Sequence, residues 1–520
     1  MPRKIPILTP EEAVALIPDG ATVAFSGAGG GITEATALID ALAERYRATE
    51  TPKGLTLLHA TGLGDRADRG MSPLAQKGLS WRIVGGHWDQ SPRLATMAAV
   101  NEFEAYNLPM GTFVQLYRAS AAGQPGILTK VGIGTFEDPR QRGGKLNDVT
   151  TEDLVRLVEI DGEEWLLYKA LKPDICLIRG TTADTSGHVS MEDDIYLDVL
   201  DIALATHNNG GKVIVQVQRV VKQGTLHPKS VVVPGYLVDA LVVIEAGQVY
   251  GLDHTDRFLS GDYRVDLGAL QPIPLTERKV VARRALMAAG PGMVGNLGVG
   301  IADGIGVIAG EEGLVEDITL TIELGIVGGV TRQGVTFGAS VNMEAMITMA
   351  NQFAFYDGGG LDICYLSFAE FDRHGNVNVS RFGGKIVGTG GFINISQNSK
   401  RVVFCGTLTA GGLRTKVGDG RMEILQEGRV CKCPEEVEEI TFNGRVAYES
   451  GQEVYFVTER AVFRLGPDGV ELSEYAPGID VERDIVAHMA FRPKISPQLK
   501  EMDPRIFREE RMGLKSDWEV

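Results

Sequence analysis

A chain of 520 residues with 44% hydrophobic positions exceeds one ordinary domain and can bury more than one core. Its formal net charge of −17 excludes nucleic acid and anionic membrane as general partners, because those surfaces are held by clustered Lys and Arg. Five cysteines, too few and too odd in number for a secreted disulfide framework, point to a reducing cytoplasm.

The N-terminal MPRKIPILTPEEA meets Glu11 and Glu12 before any apolar run develops, so it is not read as a signal peptide. Thr9, Pro10 and Glu12 instead form a capping box that opens a short helix ending near Pro18. Residues 21–25 (ATVAF) read as a buried strand. The strand breaks into Ser26-Gly27-Ala28-Gly29-Gly30-Gly31, and helical periodicity follows over 33–46. Strand, glycine turn and helix together make a unit that can hold an anion on backbone amides. The dinucleotide fingerprint fails here, since its last glycine would be Ile32. Each Gly-Gly-Lys, ending at Lys145, Lys212 and Lys385, lacks the hydroxyl residue of a P-loop, and G-x-S-x-G is absent.

From about residue 60 to 147 the chain is rich in loops, with glycine, polar and aromatic residues mixed in ATGLGDRADRG, VGGHWDQSPR and GTFEDPRQRGGKLN. Such a mixture argues for a shaped surface, either a substrate lid or a structural excursion, and against a disordered linker. Residues 293–310 are apolar but contain Asp303 and many glycines, so they read as strand, turn and helix; no membrane span is expected. Cys431 and Cys433 make one C-x-C with no second pair, and no histidine has H-x-x-x-H spacing, so no metal site is expected. Residues 437–465 read as short strands with turns at Asn443-Gly444 and Ser450-Gly451, and the charged tail from Arg492 reads as an arm over the domain or over a partner subunit.

The chain also repeats itself. DICLIRGTTADTSGHVS from Asp174 is echoed by DICYLSFAEFDRHGNVNVS from Asp362, and ATVAFSGAGGG is echoed by GMVGNLGVG. Two diverged copies of one α/β unit follow. The first copy has the longer spacing between these landmarks, and the loop-rich region matches the excess in length and place. The domains expected are residues 1–270, with the insertion at about 60–147, and residues 276–520, with the joint at DLGALQPIPLTERK. Strands near Val23, Ile175, Val213, Leu297, Leu320, Ile363 and Val403 predict two related, open, mostly parallel sheets with flanking helices and a ligand cleft between them.

Residues 318–322 (ITLTI) form a β-branched run of the kind buried in parallel sheets, and it runs directly into Glu323. A loop with Gly325, Gly328 and Gly329 follows and is expected to let backbone approach whatever the carboxylate faces. Ligands of open α/β sheets sit at carboxyl ends of strands, so Glu323 is the candidate reactive group, as general base or nucleophile.

Taken together and in order, FSGAGGGITEAT, ATGLGDRADRG, GTFEDPRQRGGKLN, HPKSVVVPGYLVD, GNLGVGIADG, TIELGIVGG, YDGGGLDICYLSFAE and IVGTGGFINIS resemble the family I coenzyme A-transferases of the single-chain type, in which two subunit-like halves are fused. The resemblance implies transfer of CoA between a short-chain acyl-CoA and a free acid such as acetate, propionate or acetoacetate, in fatty acid metabolism. It implies Glu323 as the nucleophile of a ping-pong reaction through anhydride and glutamyl-CoA thioester intermediates. It places Gly29, Gly30, Gly388, Gly390 and Gly391 as oxyanion donors, with Asn296 near the carboxylate. Coenzyme A is then a covalent substrate and no permanent cofactor is expected.

The phosphates of CoA require local cations on this acidic protein, and Lys385, Lys400 and Arg401 are the candidates. A homo-oligomer, dimer or tetramer, is expected from the apolar and glycine-rich surface. Two positions depart from the family pattern. Leu324 follows the glutamate where a small or polar residue is usual, and Asn394 replaces an acid, and both bear on the preferred substrate. The competing functions are an acyl-CoA hydrolase using the same glutamate and a non-catalytic acyl-CoA-binding regulator.

Overall fold

The computed structural model describes residues 4–245, 260–267, 272–334 and 337–518. The first large sheet uses β1 (Ile7–Leu8), β2 (Thr22–Phe25), β3 (Leu55–His59), β4 (Ser80–Gly85), β5 (Glu104–Asn107), β6 (Ile175–Arg179), β7 (Lys212–Val217) and β8 (Ala240–Val243). Their order is β1-β8-β7-β6-β2-β3-β4-β5, and every pairing is parallel. Strands β6, β7 and β8 are near-continuous runs of Val, Ile and Leu, the composition of parallel strands buried on both faces.

The second sheet uses β9 (Val294–Leu297), β10 (Thr319–Ile322), β11 (Ile326–Val327), β12 (Ala345–Met346), β13 (Ile363–Ser367), β14 (Arg401–Cys405), β15 (Glu453–Val457), β16 (Ala461–Gly466), β17 (Gly469–Tyr475) and β18 (Lys494–Glu501). Its order is β12-β11-β10-β9-β13-β14-β15-β16-β17-β18. The central run from β10 to β15 is parallel, and antiparallel strands flank it. The fold is therefore α/β, with two large and mostly parallel sheets.

Strand order brings out the duplication. The run β8-β7-β6-β2-β3 has the same connectivity as β15-β14-β13-β9-β10. At the start of β6 the Asp174 carboxylate accepts the Thr22 N–H at 2.8 Å, and at the start of β13 the Asp362 carboxylate accepts the Val294 N–H at 3.0 Å. The repeated Asp of Asp-Ile-Cys thus ties the same two strands together in each copy. The later acids match as well: Asp184 accepts the N–H groups of Ser186 and His188, and Asp372 those of His374 and Asn376. Both are Asx turns that close a short hairpin.

Three local readings change. The stretch expected as a loop-rich insertion contains β4, β5 and two helices, Pro92–Ala99 and Met110–Ala121, so it widens the first sheet. Asn443 caps a helix, Gly444–Glu449, by accepting the Val446 N–H, where the sequence suggested a turn between strands. Asn is as good an N-cap as a turn former, so the dipeptide alone does not discriminate. The tail from Arg492 lies over its own half: β18 joins the sheet edge, Glu312 accepts the N–H groups of Met512, Gly513 and Leu514, and Arg283 donates to the carbonyls of Ile506, Arg508 and Glu510. The proline-containing joint falls partly outside the described residues.

The two halves share a core. Helix Met110–Ala121 of the first half packs on helix Met349–Asp357 of the second, with Phe113, Tyr117, Phe353 and Tyr356 in one apolar cluster. This packing brings the carboxyl ends of both sheets to a common cleft.

Candidate active site

Strand β10 ends at Ile322, and Glu323 projects from its carboxyl end into a cavity of about 500 Å³ lined by both halves. One carboxylate oxygen, Oε2, is buried and has no hydrogen-bond partner. Burial pushes the Glu323 carboxyl up to about 7, opposed by its own backbone amide and by the nearby Asn296 side chain. Below it lies a chain of polar groups. Thr321 donates to the Gly295 carbonyl at 2.8 Å and meets the Tyr356 hydroxyl at 2.7 Å, and Asn296 donates to that hydroxyl at 3.1 Å. Asn296 is fully buried and its Oδ1 is unpartnered.

The glycines after Glu323 serve packing. A Cβ on Gly325 would lie 2.1 Å from the Ile347 carbonyl oxygen, and one on Gly329 would lie 2.3 Å from that of Val341. These glycines allow strands to cross closely behind the carboxylate; they do not form the cavity wall.

The glycines expected as anion holders do line the cavity: Gly29, Gly30, Gly388, Gly390 and Gly391. Their amides, however, differ in availability. The Gly30 N–H donates to Gly64 at 2.9 Å, that of Gly388 to Ser380 at 3.0 Å and that of Gly390 to Gly86 at 2.8 Å. Among the described residues, the N–H groups of Gly29 and Gly391 make no hydrogen bond. Of these five glycines, each half therefore contributes one whose backbone N–H is uncommitted.

Residues 7–244 match the family model described as Coenzyme A transferase. Over 512 residues the chain is 57% identical to acetate CoA-transferase YdiF of Escherichia coli O157:H7, covering 98% of this chain and 96% of the relative. The chain belongs to the coenzyme A transferase family. It is also 43% identical over 518 residues to caffeate CoA-transferase of Acetobacterium woodii, covering 98% of each. The crystal structure of the YdiF acyl-CoA transferase apoenzyme matches with a TM-score of 0.94 at 56% identity, covering 98% of this chain and 97% of that one. A thioester complex of that enzyme with CoA matches equally well. The protein is thus a CoA-transferase of the single-chain type.

The transferase keeps two of the three candidate phosphate cations away from the cavity. Lys400 and Arg401 sit at the amino end of β14, the edge of the sheet opposite to Glu323, where they pair with Asp362 at 2.8 Å and Glu453 at 2.7 Å. Lys385 is exposed on a hairpin between Phe382 and Val387, both of which line the cavity. Arg66 is a cavity-lining cation that the sequence reading passed over; it is half-exposed and paired with Asp89 at 2.6 Å.

Leu324 is on the cavity wall with Met110, Phe337, Phe392 and Ile395, which makes the reacting chamber strongly apolar. Asn394 is not on the wall. Its Oδ1 accepts the Gly111 N–H at 3.0 Å and its Nδ2 donates to Asp357 at 2.9 Å, which joins the two helices of the shared core. An acid at 394 would set two carboxyl groups against each other, so this departure is matched by its buried partner.

Thr61, His87 and Gln90 also line the cavity and were not singled out from sequence. Their signal was present in the glycine-rich stretches ATGLGDRADRG and VGGHWDQSPR. Burial depresses His87 to about 4, so its imidazole is neutral at physiological pH. No helix among the described residues is long and apolar enough to cross a membrane.

Proposed function

We propose that this CoA-transferase moves CoA between a short-chain acyl-CoA and a short-chain carboxylic acid such as acetate, through a glutamyl-CoA thioester on Glu323. The observation that carries the reading is the unpartnered, buried carboxylate oxygen of Glu323 on the wall of an apolar cavity. A carboxylate stripped of water is a stronger nucleophile, and the same dry wall protects the activated intermediates from hydrolysis. The relatives' names, acetate CoA-transferase and caffeate CoA-transferase, and the thioester complex of YdiF with CoA support the same chemistry.

The ionised Glu323 attacks the acyl carbonyl, the C–S bond breaks, and CoA leaves as thiolate from an acyl-glutamyl anhydride. The thiolate then attacks the glutamyl carbonyl, the C–O bond of the anhydride breaks, and the first acid leaves as its carboxylate. A second carboxylate reverses both steps and departs as a CoA ester. Each addition places negative charge on a carbonyl oxygen. The uncommitted N–H groups of Gly29 and Gly391, one from each half of the chain, are assigned to hold it. The side chains of Leu324, Phe337 and Met110 favour a short apolar acyl group over a polar one. Lys385 is retained as the cation for the phosphate end of CoA, while Lys400 and Arg401 are engaged elsewhere.

Initial-rate kinetics with acetate and a short-chain acyl-CoA test the reading. Parallel double-reciprocal lines, with negligible thioester loss when acetate is omitted, are expected. Full-rate thioester loss without an acceptor would make the protein a hydrolase, and no turnover at all would make it a binding protein.

A further inference from the structure

We propose that Asn107 is a positioning residue for the reaction: a carboxamide from the first half that fixes the glycine loop of the second half, and with it the Gly391 donor. The inference rests on the assignment of the Gly391 N–H to the oxyanion. Asn107 ends β5 and is fully buried. Its Nδ2 donates to the Thr389 hydroxyl at 2.9 Å, and its Oδ1 accepts the Thr389 backbone N–H at 3.2 Å. One side chain thus holds both the hydroxyl and the backbone N–H of the residue at the centre of the loop. A carboxamide supplies a donor and an acceptor side by side whatever the pH.

The way round of that carboxamide is set from behind. Glu137, fully buried and with its carboxyl pushed well above the usual range by desolvation, accepts from Asn107 Nδ2 at 3.3 Å, and the Asn107 backbone N–H donates to Gly144 at 2.8 Å. On the loop, Gly388 and Gly390 have φ of 81° and 54°, conformations that leave peptide planes free to turn unless held. A Cβ on Gly388 would stand 2.6 Å from Asn107 Oδ1, so the carboxamide packs directly on the loop. Backbone bonds fasten both sides: Trp88 N–H to Val387 at 2.8 Å, Gly390 N–H to Gly86 at 2.8 Å and Met110 N–H to Gly390 at 2.9 Å. Thr389 is where the loop depends on a side chain: without the Asn107 carboxamide its buried N–H has no acceptor, and its hydroxyl, which donates to the Gly390 carbonyl at 3.3 Å, loses the donor it accepts from, two residues from the Gly391 donor.

Displacement of a donor by about 1 Å costs on the order of 100-fold in rate. Asn107→Ala is therefore expected to lower kcat by roughly 100-fold, with KM for acyl-CoA changed by less than about threefold. Thr389→Val is expected to give a smaller loss of the same kind, and Thr389→Ser to restore the rate. The split matters, because general loosening of the cleft would raise KM together with any loss of kcat. Wild-type kcat in Asn107→Ala, or a rise in KM that accounts for the whole defect, would overturn the proposal. If Asn107→Ala does not fold, Thr389→Val against Thr389→Ser decides by the same split. Mapping the CoA adduct on the native enzyme separates the two levels. An adduct on Glu323 with an unimpaired Asn107→Ala variant removes only the positioning role, whereas no adduct removes the reading beneath it.

Discussion

The carboxyl end of β3 and the carboxyl end of β10 occupy the same place in the two copies of the fold, yet they are built for different purposes. β3 ends on His59, followed by Ala60 and Thr61; His59 turns back on its own chain, its Nδ1 lying 2.8 Å from the Thr61 carbonyl, and burial depresses it to about 4. After β10 comes Glu323, with a buried carboxylate oxygen that has no partner. His59 is buried off the cavity wall with its Nε2 unpartnered, whereas the unsatisfied Glu323 oxygen belongs to a carboxylate that lines the cleft. Duplication provides the frame, and the proposed chemistry falls at the strand end whose unsatisfied group is a carboxylate on the cavity wall.

That asymmetry can be broken most severely at Glu323. Glu323→Gln is expected to lower turnover by at least ~10⁴-fold, measured with acetate and a short-chain acyl-CoA. Its melting temperature at pH 8 should not fall. A buried carboxyl whose folded pKa is raised loses stability as pH rises through that value, so replacing it removes a cost above pH 7.

The second test is pH. The nucleophile must be ionised, and burial pushes Glu323 up to about 7, so kcat/KM should fall about tenfold per unit below that value and level off above it. At pH 5 roughly one-hundredth of the plateau is expected. A profile flat down to pH 5 would place the ionisation on some other group.

The copies also share features that should behave alike. Asp174→Ala and Asp362→Ala each remove a carboxylate that accepts a strand N–H, and each should cost about 1 kcal/mol in urea unfolding with kcat preserved. A large kcat loss in one alone would show that the motif has diverged in role. The smallest expected effect separates the cations. Lys385→Ala should raise KM for acyl-CoA by a few fold, and Lys400→Ala should leave it unchanged, since Lys400 lies at the far edge of the sheet against Asp362.

Much of this frame was legible in the sequence because it rests on short-range rules. β-branched runs, glycine breaks and the twice-written Asp-Ile-Cys each report a local constraint, and the strand order confirms that they mark equivalent strands. What escaped depends on contacts distant in sequence. The Gly388 and Gly390 amides look available until Ser380 and Gly86 are seen to accept them. Gly325 and Gly329 look like a ligand loop until the carbonyls of Ile347 and Val341 are found against them. Strands β4 and β5 were hidden because glycine and polar residues at their ends, which shape the cavity, outweighed short apolar runs. Asn394 stands in the sequence as a departure that bears on the preferred substrate, and only its buried partner Asp357 shows why an amide belongs there.

The most direct test of the account is to find where the enzyme carries CoA. The transferase is incubated with acyl-CoA in the absence of acceptor, reduced with borohydride, digested and mapped by mass spectrometry. The account predicts reduction of one carboxyl group, Glu323, to the alcohol, dependent on acyl-CoA and absent from Glu323→Gln. An unmodified Glu323 in an enzyme that still turns over would contradict it.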